Sequence, residues 1–182
     1  YLYRDLNFHI NAKERFLVVG ENGVGKSTLL KLMMGIQTPD RGNIRFHPNT
    51  DVAYYAQELE QLDLQKTVLE NVSAQGCTMK QLRSVLGNFL FYEDDINKKA
   101  EVLSPGEKAR IALCRILLQK ANFLILDEPT NHLDPETQEV IGRNFRRFEG
   151  TIMVVSHNRR FVEQIGINRV LMLPSGRVED YH

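Results

Sequence analysis

Three short and predominantly apolar runs divide the chain, and each is typical of a strand buried on both faces of a parallel sheet: residues 16–19, 123–126 and 151–155. Apolar residues at spacings of three and four predict helices over residues 26–34, 105–119 and 135–148. This alternation indicates an α/β fold with a mostly parallel sheet flanked by helices. In such a sheet, ligands bind beyond the carboxyl ends of the strands.

Shorter patterns complete the predicted sheet. Turn residues Pro39 and Gly42 precede a predicted strand at residues 43–46, and residues 2–10 are also interpreted as a strand. A further strand is predicted at residues 51–56, ending near Gln57. Residues 170–178 surround Pro174-Ser175-Gly176 and predict a hairpin, which adds an antiparallel β portion.

Helix-forming residues dominate the segment between Glu58 and Val102, where strand patterns fade. We therefore expect a small helical subdomain at about residues 58–104, inserted in a single domain of residues 1–182. The next helix has a defined start, because Ser104 can cap it, Pro105 suits its first position and Glu107 completes an S-x-x-E capping box.

Composition narrows the class of protein. The 182 residues suit one domain, and they are 42% hydrophobic and 25% charged with a formal net charge of zero. This balance argues against a domain-wide basic surface for nucleic acid, although a local patch is compatible with it. Cys77 and Cys114 form no CxxC pair, so neither a disulfide framework nor a zinc site is predicted, and a reducing cytoplasm fits best.

No apolar stretch in the sequence has the length of a membrane span or the form of a leader. The sequence opens on Tyr1 without an initiating methionine and stops at His182, just after the predicted hairpin. We therefore expect it to be a fragment of a longer protein.

A glycine-rich segment after the first apolar run carries the clearest chemistry. It matches G-x-x-x-x-G-K-[ST], and it lies between a predicted strand and a predicted helix, the context in which this pattern binds phosphates. Its backbone N–H groups can surround a phosphate, Lys26 supplies positive charge and the Ser27 hydroxyl can ligate Mg²⁺. The predicted nucleotide-binding residues here are Gly20, Glu21, Asn22, Gly23, Val24, Gly25, Lys26, Ser27 and Thr28.

Two acidic residues, Asp127 and Glu128, directly follow the second apolar run. In a phosphate-loop enzyme, a strand-end aspartate holds Mg²⁺ and the adjacent glutamate can polarise the attacking water. An acidic pair after a strand is more often an ordinary turn when it stands alone. The phosphate loop about 100 residues earlier reverses that preference.

Six elements in this order resemble the ATP-binding domains of the ABC family over essentially the whole chain. They are the Walker A loop at residues 20–28, the Q-loop at Gln57, the signature at residues 103–107, Walker B at residues 124–128, the D-loop at residues 131–134 and the switch histidine His157. Residues 127–134 and 86–91, together with Glu107, further resemble the ABC-F group. Members of that group carry two ATPase domains on one chain and act on the ribosome.

The resemblance implies a role for each matching residue. The implied catalytic set is Lys26, Gln57, Glu128 and His157, the implied Mg²⁺ ligands are Ser27, Gln57 and Asp127, and Ser104 and Gly106 are implied to contact the γ-phosphate of an ATP held by a second ABC domain. Asp134 would cross the interface between the two domains. The implied cofactors are ATP and Mg²⁺, and the implied partners are a second ABC domain and, through parts outside this chain, the ribosome or its RNA. No direct membrane insertion is implied.

Three features depart from the family pattern. Pro105 stands where the signature usually has glycine, which removes one backbone donor, and Asn158 follows the switch histidine where aspartate is usual. The aromatic residue that stacks on adenine should precede Leu2, so we expect weak nucleotide affinity from this chain. The basic cluster Arg143, Arg146 and Arg147 suits either a solvated surface or contact with ribosomal RNA.

Several functions are compatible with these motifs. The favoured one is an ATPase half-site of an ABC-F type translation factor or ribosome-protection protein. The ATPase subunit of a membrane transporter is the main alternative, although the insert of about 45 residues between Gln57 and Leu103 is short for that role. A DNA-repair ATPase and a binding module without catalysis are two others.

Overall fold

The computed structural model describes residues 2–73 and 76–182, except for the side chains of Gln57 and Glu58. One sheet forms from six strands: β1 (Arg15–Val19), β2 (Val52–Tyr54), β3 (Phe123–Asp127), β4 (Thr151–Val155), β5 (Arg169–Met172) and β6 (Arg177–Asp180). Their order is β2-β3-β4-β1-β5-β6. Neighbouring strands are parallel except for the antiparallel β5–β6 pair, which confirms the predicted α/β sheet.

Most of the helices were predicted, but those at residues 55–60 and 159–164 were not. The helices are α1 (Lys26–Met33), α2 (Tyr55–Glu60), α3 (Val68–Val72), α4 (Met79–Asn88), α5 (Glu93–Ile96), a 3₁₀ turn (Ala100–Val102), α6 (Pro105–Leu118), α7 (Pro135–Arg146) and α8 (Arg159–Gln164). The predicted start of α6 is confirmed, because Ser104 Oγ accepts from Glu107 N at 3.2 Å and Ser104 N donates to Glu107 Oε1 at 3.1 Å.

Period-two alternation along the central strands gives the sheet a hydrophobic core on each face. Phe16 and Val18 of β1 pack with α1 on one face. Leu17, the residue between them, packs on the other face with α6, α7 and α8. Both faces are therefore covered, as the apolar runs predicted, and polar side chains are left to the ends of the strands.

The segment predicted as a helical insert contains α3, α4, α5 and the 3₁₀ turn. Capping boxes begin two of these helices, with Thr67 and Glu70 at α3 and Thr78 and Gln81 at α4. Helix α6 holds the insert through Arg110, whose guanidinium lies 4.6 Å from the centre of the Phe91 ring and donates to Phe89 O at 3.1 Å. That this insert is a separate helical subdomain stays a prediction.

Three predicted strands are wrong in extent or existence. Strand β2 ends at Tyr54 and not near Gln57, because the chain turns directly into α2, where Gln57 lies. No strand forms among the described residues 2–10 or among residues 43–46. Ile44 and Phe46 have the two-residue spacing of apolar positions in a strand. They are nevertheless 41% and 37% exposed, and no neighbouring strand pairs with their backbone.

Candidate functional site

The carboxyl ends of β1, β3 and β4 lie side by side and form one wall of a cleft. Strand β4 pairs with both β1 and β3, so the residues after Val19, Asp127 and Val155 meet at the same edge of the sheet. The cleft has a volume of about 380 Å³. It is lined by Asn22, Gly23, Gly25, Lys26, Ser27 and Thr28 of the glycine-rich loop, by Asp127, Glu128, Val155 and His157, and by Leu2. We call it the phosphate cleft.

The glycine-rich loop adopts a conformation that suits a phosphate. Gly23 and Gly25 have φ angles of 81° and 103°, which glycine adopts without the steric cost that a Cβ would bring. Gly25 is the N-cap of α1 and has no side chain to cap the helix, so the first-turn N–H groups carry no side-chain cap. The helix dipole and these donors favour an anion at this position.

Lys26 is the first residue of α1, and its Nζ donates to the Gly20 carbonyl oxygen of the same loop at 2.6 Å. The ammonium group therefore lies over the loop and lines the cleft. Its charge is available to an incoming phosphate, which accepts hydrogen bonds more strongly than a neutral carbonyl does.

The acidic pair and the histidine meet across β3 and β4. Glu128 has a φ of 47°, uncommon for a residue with a side chain, and its N–H donates to Val155 O at 2.8 Å. This backbone turn brings Glu128 Oε1 to 2.5 Å from His157 Nδ1. Asp127 ends β3 and lines the same cleft, where its charge adds to burial in raising the pKa of Tyr54. A carboxylate, an imidazole and an ammonium thus share the cleft.

The donors in the phosphate cleft fit a hard cation such as Mg²⁺. The Ser27 hydroxyl and the Asp127 carboxylate offer oxygen ligands on opposite elements of the cleft. Gln57, the third predicted ligand, lies on α2 with its side chain outside the described part of the structure. Within the described residues, no three His, Cys, Asp or Glu side chains gather as a metal site, so Mg²⁺ would depend on nucleotide oxygens to complete its shell.

The signature residues lie in a second cleft of about 330 Å³, which we call the signature cleft. Ser104, Pro105, Gly106 and Glu107 at the start of α6 face His132, Leu133 and Asp134. Gly106 packs so closely on the D-loop that an added Cβ would lie 2.6 Å from the His132 carbonyl oxygen. The structure therefore groups Ser104 and Gly106 with Asp134 and not with Lys26.

Asp134 is the N-cap of α7. Its carboxylate accepts from Thr137 N at 2.9 Å and from Thr137 Oγ1 at 2.7 Å, and these bonds lower the pKa of Asp134. Asn158 has the same function at α8, where its Oδ1 accepts from Phe161 N at 3.0 Å. The departure at Asn158 is therefore compatible with a well-formed helix start beside His157.

Two residues near the clefts had no motif that would have revealed them. Gln138 bonds both the D-loop and Asn158, although it looks in the sequence like any polar residue of an amphipathic helix. Leu2 lines the phosphate cleft and is 50% exposed. Only the folded chain brings either residue to the site.

Comparison with known families agrees with this geometry. Residues 3–131 match the family model described as ABC transporter. The chain belongs to this ABC family. Relatives include the putative ATP-binding protein YdiF of Bacillus subtilis, 46% identical over 99% of this chain and 28% of its own length, and the human ATP-binding cassette sub-family F member 3, 38% identical over 90% and 24%. The ABC domain described here thus spans about a quarter of the length of these two relatives.

Two solved structures have the same fold as this ABC domain. A dimeric ATP-binding cassette in a post-hydrolysis state, bound to ADP and Pi, superposes with a TM-score of 0.79 at 24% identity over 100% of this chain and 91% of that one. The archaeal ribosome recycling factor aABCE1, in complex with the ribosomal stalk protein aP1, superposes with a TM-score of 0.74 at 27% identity over 94% of this chain and 34% of that one. Among the described residues of this ABC domain, no helix has the length and apolar character needed to cross a membrane.

The family assignment supports the interpretation of the sequence. The predicted resemblance to the ABC family is confirmed, and so is the domain's class as a P-loop ATPase. Two further relatives carry the F family name in Arabidopsis thaliana, at 39% and 38% identity, which agrees with the predicted likeness to the ABC-F group. The roles of individual residues stay predictions.

Proposed function

We propose that this domain binds ATP in the phosphate cleft and hydrolyses it as one half of an ABC dimer. The observation that carries the proposal is the convergence of an uncapped helix amino terminus, Lys26, Asp127 and the Glu128–His157 pair on one cleft. The loop amides and Lys26 would bind the phosphates. Glu128 is then the acidic group next to the outermost phosphate, where an attacking water would lie.

The Glu128–His157 contact supports a division of labour between the two residues. The Glu128 carboxylate would act as general base and accept a proton from the attacking water at Oε2, the oxygen that the His157 contact does not use. The contact with His157 Nδ1 at 2.5 Å holds that carboxylate in place, and His157 would need a proton on both ring nitrogens for Nε2 to donate to the γ-phosphate. Bound Mg²⁺, held by Ser27 and Asp127, would neutralise charge on the phosphate oxygens.

A second ABC domain would complete the site. Ser104 and Gly106 lie in the signature cleft and not beside Lys26, so they would contact an ATP bound by the partner domain. The dimeric state of one solved structure of the same fold supports this arrangement. The greater length of the relatives leaves room for the second domain on the same chain.

We propose further that the intact protein is a cytoplasmic ABC-F type protein that acts on the ribosome, as a translation factor or a ribosome-protection protein. Similarity to F family members supports the class, and the likeness to a ribosome recycling factor supports the ribosome as partner. The free thiols of Cys77 and Cys114 suit a reducing compartment. The family description favours one alternative, the ATPase subunit of a membrane transporter.

The test replaces Glu128 with glutamine in the intact protein and measures phosphate release, ATP binding and sedimentation with purified ribosomes. Without its general base, Glu128→Gln should lower turnover at this site by about 10²-fold and still bind ATP. Trapped with ATP, the variant should sediment with ribosomes more than the wild type does. Glu136→Gln is the matched control, because Glu136 is exposed in the first turn of α7 and should leave all three measurements unchanged.

The outcomes separate the two parts of the proposal. Turnover by Glu128→Gln at the wild-type rate would reject the catalytic role of Glu128. A loss of turnover without ribosome binding would keep the ATPase and reject the ribosome as partner. Association with a membrane-spanning protein in place of the ribosome would then favour the transporter alternative.

A further inference from the structure

A chain of side-chain amides connects the two clefts of the domain. Gln138 lies on α7, and its Nε2 donates to the carbonyl oxygen of Leu133 at 2.9 Å. Asn158 precedes α8, and its Nδ2 donates to Gln138 Oε1 at 2.6 Å. Leu133 lines the signature cleft, and Asn158 directly follows His157 of the phosphate cleft. The hydrogen bonds therefore run from one cleft to the next.

Main-chain groups determine which way each amide points. Phe161 N–H can only donate, so it orients Asn158 Oδ1 towards α8 and leaves Asn158 Nδ2 for Gln138. The Leu133 carbonyl can only accept, so it requires Gln138 Nε2 and leaves Gln138 Oε1 for Asn158. The main-chain partners therefore determine which atom of each amide is the oxygen and which is the nitrogen.

An aspartate at position 158 could not serve in the same way. Its carboxylate could still cap α8, but it has no proton to donate to Gln138 Oε1. If Gln138 rotated to donate to the carboxylate, its oxygen would face the oxygen of Leu133 and one hydrogen bond would be lost. Gln138 in its observed orientation therefore requires an amide donor, and not a carboxylate, at position 158.

Both ends of this series of hydrogen bonds lie next to residues of the proposed ATPase reaction. On the signature side, Gly106 packs against the His132 carbonyl, one residue before Leu133. On the phosphate side, Asn158 N donates to Ser156 Oγ at 3.1 Å, so His157 lies between two bonded residues. A shift of the D-loop when the signature cleft is filled would pass through Gln138 to the segment that holds His157.

We propose that Gln138 and Asn158 are positioning residues that couple occupation of the signature cleft to the placement of His157 in the same domain. This inference rests on the proposed ATPase function. Neither side chain lines the phosphate cleft, so the pair acts through His157 and not on the nucleotide directly. The bond is partly buried, which strengthens it relative to an exposed one.

The first test measures steady-state ATP hydrolysis by the intact protein with Gln138→Met or Asn158→Asp. Each change removes one or two of these hydrogen bonds, and kcat at this site should fall about three- to tenfold. KM for ATP should change less than about twofold, because the phosphate-binding residues are untouched. Asn158→Asp keeps the α8 cap and loses one hydrogen bond, so its melting temperature should fall by only about 2–4 °C.

The control is Glu139→Met, which breaks a different contact between α7 and α8. Glu139 Oε2 accepts from Arg160 Nη2 at 2.8 Å near the surface, one residue away from Gln138. This variant should keep the wild-type kcat. If Glu139→Met slowed turnover as much as Gln138→Met, or if KM rose as much as kcat fell, the effect would be structural and the proposal would be overturned.

A second measurement needs no catalysis. Hydrogen exchange of the Phe161 amide, without nucleotide, reports how firmly Asn158 is held. Exchange should be faster in Gln138→Met than in the wild type and unchanged in Glu139→Met; equal exchange in all three would overturn the proposal. If exchange changes as expected but the wild type releases no phosphate, the proposed ATPase function fails and the hydrogen-bonded link stands.

Discussion

Replacing Gly106 with alanine adds one methyl group where α6 meets the D-loop. The new Cβ would lie 2.6 Å from the His132 carbonyl oxygen, whereas ordinary van der Waals contact begins at 3.4 Å, so the oxygen must move by about 0.8 Å. It is a main-chain atom and cannot rotate away as the end of a side chain could. His132 also has a φ of 68°, so the loop starts from an uncommon conformation with little freedom to adapt.

Two opposing effects set the size of the change. Overpacking of this kind costs about 1–3 kcal/mol. Alanine is a better helix former than glycine by up to about 1 kcal/mol, which offsets part of that cost because Gly106 lies in the first turn of α6. The free energy of unfolding should therefore fall by about 0.5–2 kcal/mol. For a domain of this size the melting temperature should drop by about 1–8 °C.

The assay is thermal and urea denaturation of the purified protein without nucleotide, followed by circular dichroism. Gly87→Ala is the matched control, because Gly87 lies inside α4 and an added Cβ meets no atom within 4 Å. That variant should be as stable as the wild type or more stable, by up to about 1 kcal/mol. If Gly106→Ala were equally stable, the close contact between α6 and the D-loop would be refuted.

Two further predictions concern other parts of the domain. The Arg15 guanidinium donates to the carbonyls of Phe145, Ile165 and Phe148, so Arg15→Met should lower the free energy of unfolding by about 2–3 kcal/mol in urea. Arg160→Met, which breaks an exposed ion pair, should cost less than about 1 kcal/mol, and equal losses would contradict this reasoning. The second prediction concerns pH. Bonds from Thr137 N–H and its hydroxyl lower the folded-state pKa of Asp134, so the stability that they contribute is present above the unfolded pKa of about 3.9 and is lost as the pH falls through the folded value. Asp134→Asn should therefore flatten the decline in urea midpoint below about pH 4, and an unchanged slope would count against it.

Local chemistry explains why the phosphate loop could be predicted from the sequence. Gly23 and Gly25 need positive φ angles, and Lys26 must follow them at the start of a helix. All of these requirements act within one short segment, so the residue pattern alone identifies it. Strands β1, β3 and β4 were predicted for a similar reason. A strand buried on both faces is apolar at nearly every position, and such a run is recognisable within its own few residues.

Strand limits depend on partners elsewhere in the chain, and there the sequence was a poorer guide. Residues after Tyr54 are as apolar as those before it, yet the register of β2 with β3 ends at the Tyr54–Ile125 pair. Nothing in the residue types marks that point. Gln138 is a further case, because its importance comes from two neighbours, Leu133 and Asn158, that only tertiary structure brings to it.

The two clefts share no lining residue, and this separation bears on how the domain works. In the proposed function, one cleft supplies the donors that would bind a triphosphate and the acidic group that would activate water. The other presents the start of α6, where Ser104 and Gly106 could meet phosphate oxygens, and the glycine-rich loop is not among the described residues that line it. The two clefts therefore complement each other, and the proposed two-fold arrangement of two domains would join them into two sites. In that arrangement, the link through Gln138 would let each site sense the other.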